Sequence, residues 1–387
     1  MEEVAESSTD FLDFLGPDTS ATVFTMLHDP ADLARASAVS RSWRTFVIAN
    51  QFSKMQCLRV CPEVSTFARV EVRSSSGGKD HDVAGPSARA EDERLSRDHM
   101  VYMHLAHGLL ARPYNDARNC ITRCIGASST DNFPEETIEN TLEPIDRVDM
   151  RPSYWSSGGQ RDPAAPEWLI YRLQADLCLV DEVKVQPFKA FFQYGDPIYS
   201  AKCIRFRMGY PTSPLEPETL VCDENEGQLI DDSNYVWTYT SPEFPMLQEN
   251  VLQSFKLPHP VLCIGGVVKV ELLGRVQKQA MDSLYYICVS HVQIVGKPVS
   301  QELEVAPHGK CVVMNYYPDP RRCSVARGDS SGDDGRSKWH GFASRFWHSG
   351  RARGIGGLNQ GLLSRLFGAP LQFGGEDDVS DEEGELL

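Results

Sequence analysis

The sequence predicts an α+β multidomain protein in which a small N-terminal helical unit precedes a larger all-β sandwich. Two periodicities predict this class. Apolar residues recur at helical spacing between residues 15 and 47, and they alternate with polar residues in short stretches between residues 181 and 295. A change of composition separates the two parts, because residues 73–94 are rich in Ser, Gly and charged residues. This composition is typical of a flexible linker.

The helical unit carries a start signal for each of its first two helices. Pro17 stands at the first helical position with Asp18 in the first turn, and Asp29-Pro30 supplies an N-cap followed by a first-turn proline. An apolar stripe continues through all three helices, formed by Val23, Phe24, Leu27, Leu33, Ala36, Val39, Trp43, Phe46 and Val47. Three helices this short leave part of that surface uncovered, so we expect a partner protein to bind it.

This pattern resembles the F-box, a helical motif of about forty residues. The resemblance rests on Leu15, Pro17, Val23, Phe24, Leu27, Pro30, Leu33, Val39 and Trp43-Arg44. It implies that these residues dock on a Skp-type adaptor and thereby join the chain to a cullin–RING ubiquitin ligase. Gly16 is a departure, since the family usually has Leu-Pro without an intervening residue. The alternative is an ordinary helical subdomain of a larger fold.

The sandwich is predicted from strict alternation in residues 181–186, 203–208 and 268–272. Further strands are expected at residues 251–257 and 284–295, bounded by Pro258, Pro260, Asp282 and Gly296. Short strands separated by Pro and Gly turns favour a sandwich or jelly roll over a parallel α/β sheet. A helix at residues 95–110 is expected to precede them.

The β-region resembles galactose-binding-like, discoidin-type jelly rolls over about residues 121–299. Its motifs follow the order of that family: Ser128-Ser129, then Tyr154-Trp155-Ser156-Ser157-Gly158, then Glu167-Trp168-Leu169-Ile170-Tyr171-Arg172-Leu173, and a closing strand that ends near Val295. Together with the helical motif, the arrangement resembles plant F-box proteins. The expected domains are a disordered segment at 1–10, the F-box and following helix at 11–72, a linker at 73–94, the helix and jelly roll at 95–300, and a mostly disordered extension with an acidic tail at 301–387.

Composition limits the partners and the compartment. The formal net charge of −16 argues against nucleic acid or an anionic membrane as the main partner. The acidic N-terminus lacks the layout of a signal peptide, and no apolar run reaches membrane-spanning length. Eleven cysteines and no Asn-x-Ser/Thr site fit a reduced intracellular compartment, the nucleus or the cytoplasm.

The lack of recognisable catalytic motifs favours a non-catalytic receptor with no cofactor and no metal. Nucleophile-elbow, phosphate-loop and zinc-protease motifs are missing, and Cys57/Cys61 and Cys120/Cys124 are spaced four apart rather than at the Cys-x-x-Cys spacing. The β-domain is then expected to bind a target protein through aromatic and polar side chains: Trp155, Gln193, Tyr194, Tyr199, Tyr235 and Trp237. For Trp155 a core position is the competing interpretation. The alternative function is a lectin-like module that binds a glycan or glycoprotein.

Overall fold

The computed structural model describes residues 10–73, 88–110, 118–148, 151–213, 232–308 and 311–318. Its helices are α1 (Phe11–Leu15), α2 (Pro17–Thr25), α3 (Pro30–Ser37), α4 (Arg41–Ala49), α5 (Phe52–Val60) and α6 (Ala88–Leu110). The strands before the long central ones are β1 (Phe67–Val72), β2 (Arg118–Asn119), β3 (Ile121–Ala127), β4 (Arg147–Val148), β5 (Arg151–Pro152) and β6 (Trp155–Ser156). The remaining strands are β7 (Glu167–Leu173), β8 (Leu177–Pro187), β9 (Ala201–Pro211), β10 (Tyr235–Thr240), β11 (Phe244–Pro245), β12 (Gln253–Ile264), β13 (Val267–Arg275), β14 (Cys288–Pro298), β15 (Leu303–His308) and β16 (Cys311–Tyr316).

Helix α3 begins where its capping residue predicts, and Ser40 caps α4 although the sequence pattern did not single it out. Asp29 accepts a hydrogen bond from Ala31 N at 2.8 Å, and Ser40 accepts one from Trp43 N at 3.1 Å. These side chains satisfy backbone N–H groups that have no partner inside their helix. Around them the helices share a small core, formed by Leu12, Phe24, Leu33, Val47 and Phe52.

Two antiparallel sheets form the sandwich, and this confirms the predicted fold class. One sheet has the order β10-β9-β13-β7-β3 with β11 added to β9, and the other has the order β12-β8-β14-β2 with β6 added to β14. Their facing side chains make one large core that includes Leu169, Phe206, Val270 and Ile294. The predicted strand end at Pro258 is wrong. Strand β12 continues through Pro258 and Pro260, with a register shift against β8 between Lys256 and Val261, because a bulge accommodates residues that cannot donate to the ladder.

A third sheet joins the helical unit to the sandwich. Strand β1 pairs in parallel with β16, which pairs antiparallel with β15. Side chains from α5, α6 and these strands share a core with the sandwich, including Cys57, Leu105, Leu262 and Met314. In the described part of the chain, no helix is both long and apolar enough to cross a membrane.

Two of the predicted domain boundaries are wrong. Helix α6 begins at Ala88, inside the predicted linker 73–94, and β15 and β16 lie inside the predicted extension 301–387. The first turns of α6 were missed because residues 89–94 are exposed and mostly charged, so they carry no apolar periodicity. Strands β15 and β16 were missed because their apolar residues become buried only against partners that are distant in sequence. The rest of the linker from residue 74 and the acidic tail lie outside the described residues.

The strand directions define two opposite ends of the sandwich. At the junction end, the strand ends near Leu177, Tyr210 and Ile264 pack against the helices and the third sheet. At the loop end, the opposite strand ends are joined by long connections. We use "loop end" for residues 128–136, 154–166, 188–200, 246–252 and 276–287.

Gly108 gives a test of the contact between α6 and the sandwich. A Cβ at Gly108 would lie 2.4 Å from the carbonyl oxygen of Val299. We expect Gly108→Ala to lower the free energy of unfolding by about 1–3 kcal/mol through overpacking, although alanine ordinarily favours a helix over glycine by about 1 kcal/mol. Urea unfolding measures the change. The control is Ser96→Ala on the exposed side of the same helix, where we expect a change within about 0.5 kcal/mol. Equal stability of both variants would contradict close packing of α6 on Val299.

Candidate functional site

The helical unit exposes part of its apolar stripe. Of the predicted adaptor-binding residues, Pro17, Val23 and Val39 are exposed, and Val39 is 62% exposed. Leu15, Leu27 and Trp43 are half-buried, whereas Phe24, Pro30 and Leu33 are buried. The buried three support the helices from inside, so a partner can contact them only at their edges.

Further apolar residues of this unit are exposed that the sequence pattern did not single out. Phe14 is 78% exposed, and Phe11 and Met26 are exposed as well. Phe11 lies beside the indole of Trp43, with ring centroids 5.7 Å apart, and Trp43 Nε1 donates to Asp10 Oδ1 at 2.7 Å. Helix α1 was missed because it is only five residues long, too short for periodicity to show. These side chains enlarge the surface that a partner could cover.

A second group of exposed apolar side chains lies at the loop end, formed by Tyr194, Leu247, Val251, Leu252, Val276 and Met281. Hydrogen bonds hold the three loops that carry them together. Gln248 Nε2 donates to Ile198 O at 2.9 Å, and Ser200 Oγ donates to Leu247 O at 3.3 Å. Val276 N donates to Ser200 O at 3.3 Å. Exposed apolar groups gathered on neighbouring loops are typical of a protein-binding surface.

A buried ion pair fixes loop segments 154–166 and 276–287 to the sandwich. Arg275, at the end of β13, pairs with Glu167, at the start of β7, and both side chains are almost fully buried. The Arg275 guanidinium also donates to Gly158 O at 2.9 Å, Tyr285 O at 2.8 Å and Ala165 O at 3.1 Å.

The serine pair of the sequence motif contacts the other side of the same carboxylate. Ser128 Oγ and Ser129 Oγ both donate to Glu167 Oε2, the second at 2.8 Å. Each buried charge is therefore compensated by its partner and by several hydrogen bonds, which is the condition under which buried charges are tolerated.

Beneath the loops lies an aromatic cluster with a small cavity. Tyr154 and Phe188 stack with ring centroids 3.9 Å apart, and Tyr199 and Tyr286 complete the cluster. The cavity has a volume of about 20 Å³ and is lined by Asp131, Glu136, Tyr154, Ser156, Phe188, Ala190, Phe192, Gln193, Tyr199, Gln279, Tyr286 and Cys288. Burial raises the pKa of Glu136 to about 7, although a hydrogen bond from Tyr154 favours its ionised form.

The predicted target-binding residues do not form one surface. Trp155 is fully buried and donates its Nε1 proton to Ser129 O at 3.0 Å, so its prediction as a contact residue is wrong. Gln193 and Tyr199 line the cavity, with Tyr199 Oη donating to Gln193 Oε1 at 2.6 Å, while Tyr194 is fully exposed beside them. Gln193, Tyr194 and Tyr199 are therefore available at the loop end, whereas Trp155 lies in a segment of that end but is enclosed in the core.

The other two predicted residues lie near the junction end. Tyr235 pairs with Pro211 and Trp237 with Gly209, on the edge strand of the larger sheet. Their rings stack at 5.2 Å on the outer face of that sheet, and Tyr235 is buried. They are therefore separate from the loop end. The acidic stretch 223–232 lies outside the described residues except for Asp232, which is paired with Lys269 at 2.7 Å.

The sequence reasoning missed the residues that give the cavity its chemistry, namely Glu136, Phe188 and Tyr286. They are 52 and 98 residues apart along the chain, counted from Glu136 to Phe188 and from Phe188 to Tyr286. No local pattern can join side chains at such separations. The run Phe188-x-x-Phe191-Phe192 was the available signal, because three aromatic residues in a loop indicate a satellite core.

The buried ion pair can be tested by mutation. We expect Arg275→Met to lower the free energy of unfolding by about 3–5 kcal/mol, because it leaves the Glu167 carboxylate buried without its cation. The control is Arg35→Met, which removes the exposed ion pair to Asp32 at 2.6 Å and should cost less than about 1 kcal/mol. Chemical denaturation of both variants measures the difference. A loss for Arg275→Met no larger than that of the control would contradict the role given to this pair.

Comparison with known proteins shows to which family the chain belongs. No protein-family model matches it. The F-box protein At4g00755 of Arabidopsis thaliana is 47% identical over 319 residues, which are 81% of this chain and 84% of that protein. Among solved structures, a chitosan-binding module from a Paenibacillus sp. IK-5 chitosanase/glucanase matches 47% of this chain and 100% of that chain, with 12% identity and a TM-score of 0.30. A family 32 carbohydrate-binding module of C. perfringens NanJ, solved with galactose, matches 44% of this chain and 97% of that chain, with 10% identity and a TM-score of 0.28. The sequence relationship is extensive enough to show that this chain belongs to the F-box protein family.

Proposed function

We propose that this chain is the substrate-receptor subunit of a Skp–cullin–F-box ubiquitin ligase. Its N-terminal helices bind a Skp-type adaptor, and the loop end of its sandwich binds the protein to be ubiquitinated. The observation that carries the proposal is the position of the two exposed apolar surfaces. One lies on the helical unit, and the other lies on the end of the sandwich that faces away from the junction. Membership in the F-box family supports the adaptor-binding half.

The way the two parts are joined suits this role. Helix α6 contributes Tyr102, Leu105 and Leu109 to a buried cluster that also contains Cys57 of α5 and Val299, which follows β14. A continuous core of this kind keeps both surfaces at a fixed separation and orientation. In a ligase, a rigid receptor holds the target lysine near the charged ubiquitin enzyme and so makes their encounter effectively unimolecular. The chain then contributes affinity and geometry, while other subunits supply the chemistry.

A glycan- or glycoprotein-binding module is the second candidate. The loop-end cavity does not favour a sugar bound inside it, because its volume of about 20 Å³ holds about one water-sized group. A sugar would have to lie across the outside of the loops. A glycan array probed with the full chain tests this candidate, and binding that is lost with the loop-end substitutions below would favour it.

The adaptor surface gives a direct test. We expect the double substitution Val23→Asp/Val39→Asp to abolish co-purification with a Skp-type adaptor, because both side chains are exposed apolar groups that a partner would bury. The circular-dichroism spectrum and the melting temperature should stay close to those of the unchanged chain. The buried Phe24 is unsuitable, since a charge there would disrupt the helices themselves. The control is Met100→Asp, an equally drastic change at an exposed apolar residue of α6. Adaptor binding by the double variant would contradict the proposal.

The loop-end surface is tested separately. We expect Leu247→Asp/Val251→Asp to retain the adaptor and to lose the target, because Leu247 is 57% exposed and Val251 lies on the same loop. Proximity labelling in cells with the ligase blocked identifies proteins enriched by the unchanged chain. We would identify as a target any protein whose labelling falls at least tenfold in the loop variant and does not fall in Met100→Asp. A tenfold loss of affinity corresponds to about 1.4 kcal/mol of binding free energy. Identical labelling by all three chains would contradict target binding at the loop end.

A further inference from the structure

The cavity at the loop end contains a carboxylate oxygen without a partner. Glu136 is only 7% exposed. Its Oε1 atom accepts hydrogen bonds from Tyr154 Oη at 2.6 Å and Asn132 Nδ2 at 3.2 Å. Its Oε2 atom accepts none from any residue in the described part of the chain, and it is not among the atoms sealed from solvent, so it is open to the cavity that Glu136 lines. A carboxylate oxygen that is open in this way can accept a hydrogen bond from a group that enters from outside.

The charges around Glu136 are negative. Asp131 lines the same cavity, and Asp131 and Glu135 both raise the pKa of Glu136 further, after the effect of burial. Neither lysine nor arginine is among the residues that line the cavity. Arg275, a buried cation close to the lining residue Cys288, is already paired with Glu167, and Arg147 lies over the Phe191 ring at 3.8 Å from its centroid. On the same side, Lys189 is paired with Asp196 at 2.8 Å. The cavity therefore presents negative charge that the described residues leave without a cation.

The walls of the cavity are aromatic. Tyr154 and Phe188 lie stacked on each other, and Tyr199 lies edge-on to Tyr286 with centroids 6.3 Å apart. Aromatic rings beside a desolvated carboxylate attract a cation through their faces and exclude water from the contact. The half-exposed lining residues Phe192, Gln193 and Gln279 mark the open side, where an aliphatic stem can lie against the Phe192 ring.

The size of the cavity selects among cations. A volume of about 20 Å³ accommodates one group the size of a water molecule. A primary ammonium is a compact point charge with three donors on a flexible stem, whereas a guanidinium is a wide planar fork. The ammonium fits this space and can donate to Glu136 Oε2, and we expect the wider guanidinium to bind less tightly there.

We propose that the loop-end cavity binds the ammonium group of a lysine side chain of the target protein, with Glu136 as its hydrogen-bonded counter-ion and the aromatic cluster around it. This inference rests on the proposed function, in that the loop end receives the target, and it defines the chemistry that is recognised there. The terminal amine of a polypeptide carries the same group, and the test separates the two sources.

The test is ligand-observed NMR titration of the full-length chain with short peptides. The probe is a pentapeptide acetylated at its N-terminus and amidated at its C-terminus, with lysine at the centre and Gly and Ser on either side. We expect it to bind at least tenfold more tightly than the same peptide with norleucine, arginine or acetyl-lysine at the centre, because a hydrogen bond to a charged group contributes about 1.5–3 kcal/mol. Equal binding of lysine and norleucine peptides, or no binding of either, would overturn the proposal. Equal binding of a lysine-free peptide with a free N-terminus would reassign the cavity to a terminal amine and overturn the lysine assignment.

Matched variants locate the binding. Glu136→Gln keeps the size of the side chain and should reduce lysine-peptide affinity about tenfold, to the level of the norleucine peptide. Glu135→Gln makes the same change on the neighbouring exposed residue, which does not line the cavity, and should alter affinity less than twofold. If Glu136→Gln does not fold, Asp131→Asn in the same cavity should show a two- to threefold loss. Unchanged lysine preference in a folded Glu136→Gln chain would refute the assignment.

The pH dependence gives an independent readout. The lysine ammonium stays protonated between pH 6 and 8, and Glu136, with a pKa of about 7, becomes ionised as the pH rises through this range. Burial raises the pKa values of Tyr154, Tyr286 and Cys288 further above this range, so these neighbours stay neutral. Lysine-peptide affinity should therefore rise about tenfold from pH 6 to pH 8 and should be flat in Glu136→Gln. A flat profile in the unchanged chain would count against Glu136 as the counter-ion. None of these measurements requires the adaptor, so failure here and failure of adaptor co-purification are distinguishable.

Discussion

The ion pair between Arg275 and Glu167 is the interaction on which the loop end depends. The two residues lie on adjacent strands, where β13 ends and β7 begins, and the ladder register sets Leu272 opposite Glu167. Both charges are buried, so each must find its full set of partners within the protein. Arg275 finds them in the carbonyls of two loop segments, 154–166 and 276–287, and Glu167 finds them in Ser128 and Ser129. One pair of charges therefore fixes loops that have little regular structure of their own.

These loops line the cavity, and segment 276–287 also carries Val276 and Met281 of the exposed apolar group, which explains how an irregular region can present a defined surface. Gly159 lies against the ring of Tyr286, where a Cβ would come within 2.6 Å of the phenolic oxygen, so the 154–166 segment approaches the aromatic cluster closely. Tyr286 in turn donates its hydroxyl to Asp282, and Tyr154 donates to Glu136. The polar ends of the aromatic side chains are thus satisfied by carboxylates, while their faces remain apolar. This combination of acidic and aromatic groups gives the loop end its chemistry.

At the other end, the junction makes the helical unit and the sandwich parts of one packed structure. The third sheet is central to it, because β1 follows the helices and β15 and β16 follow the sandwich in the chain. The parallel pairing of β1 with β16 brings together segments that are about 240 residues apart, such as Val72 and Tyr316. The Tyr316 hydroxyl also forms a hydrogen bond of 2.9 Å with Nε2 of His104 in α6, and this bond connects the third sheet to the long helix. The two exposed surfaces are consequently held in one relative orientation.

The sequence alone determined the fold class, the starts of α2 and α3 and most of the long strands. Caps such as Asp29 and Ser40 act on backbone groups within three residues, and alternation in β8, β9 and β13 reflects side chains that point in turn to the two faces of a sheet, so both signals are local. The Ser128-Ser129 motif was also visible, but its role in binding the Glu167 carboxylate was not. Only the tertiary structure decided that Trp155 is a core residue, that Tyr235 and Trp237 lie away from the loop end, and that β15 and β16 belong to the junction. It alone brought Glu136, Phe188 and Tyr286 to one cavity. The physical reason is that burial and charge compensation arise from contacts between segments far apart in the chain, and such contacts leave no periodicity in the residues that make them.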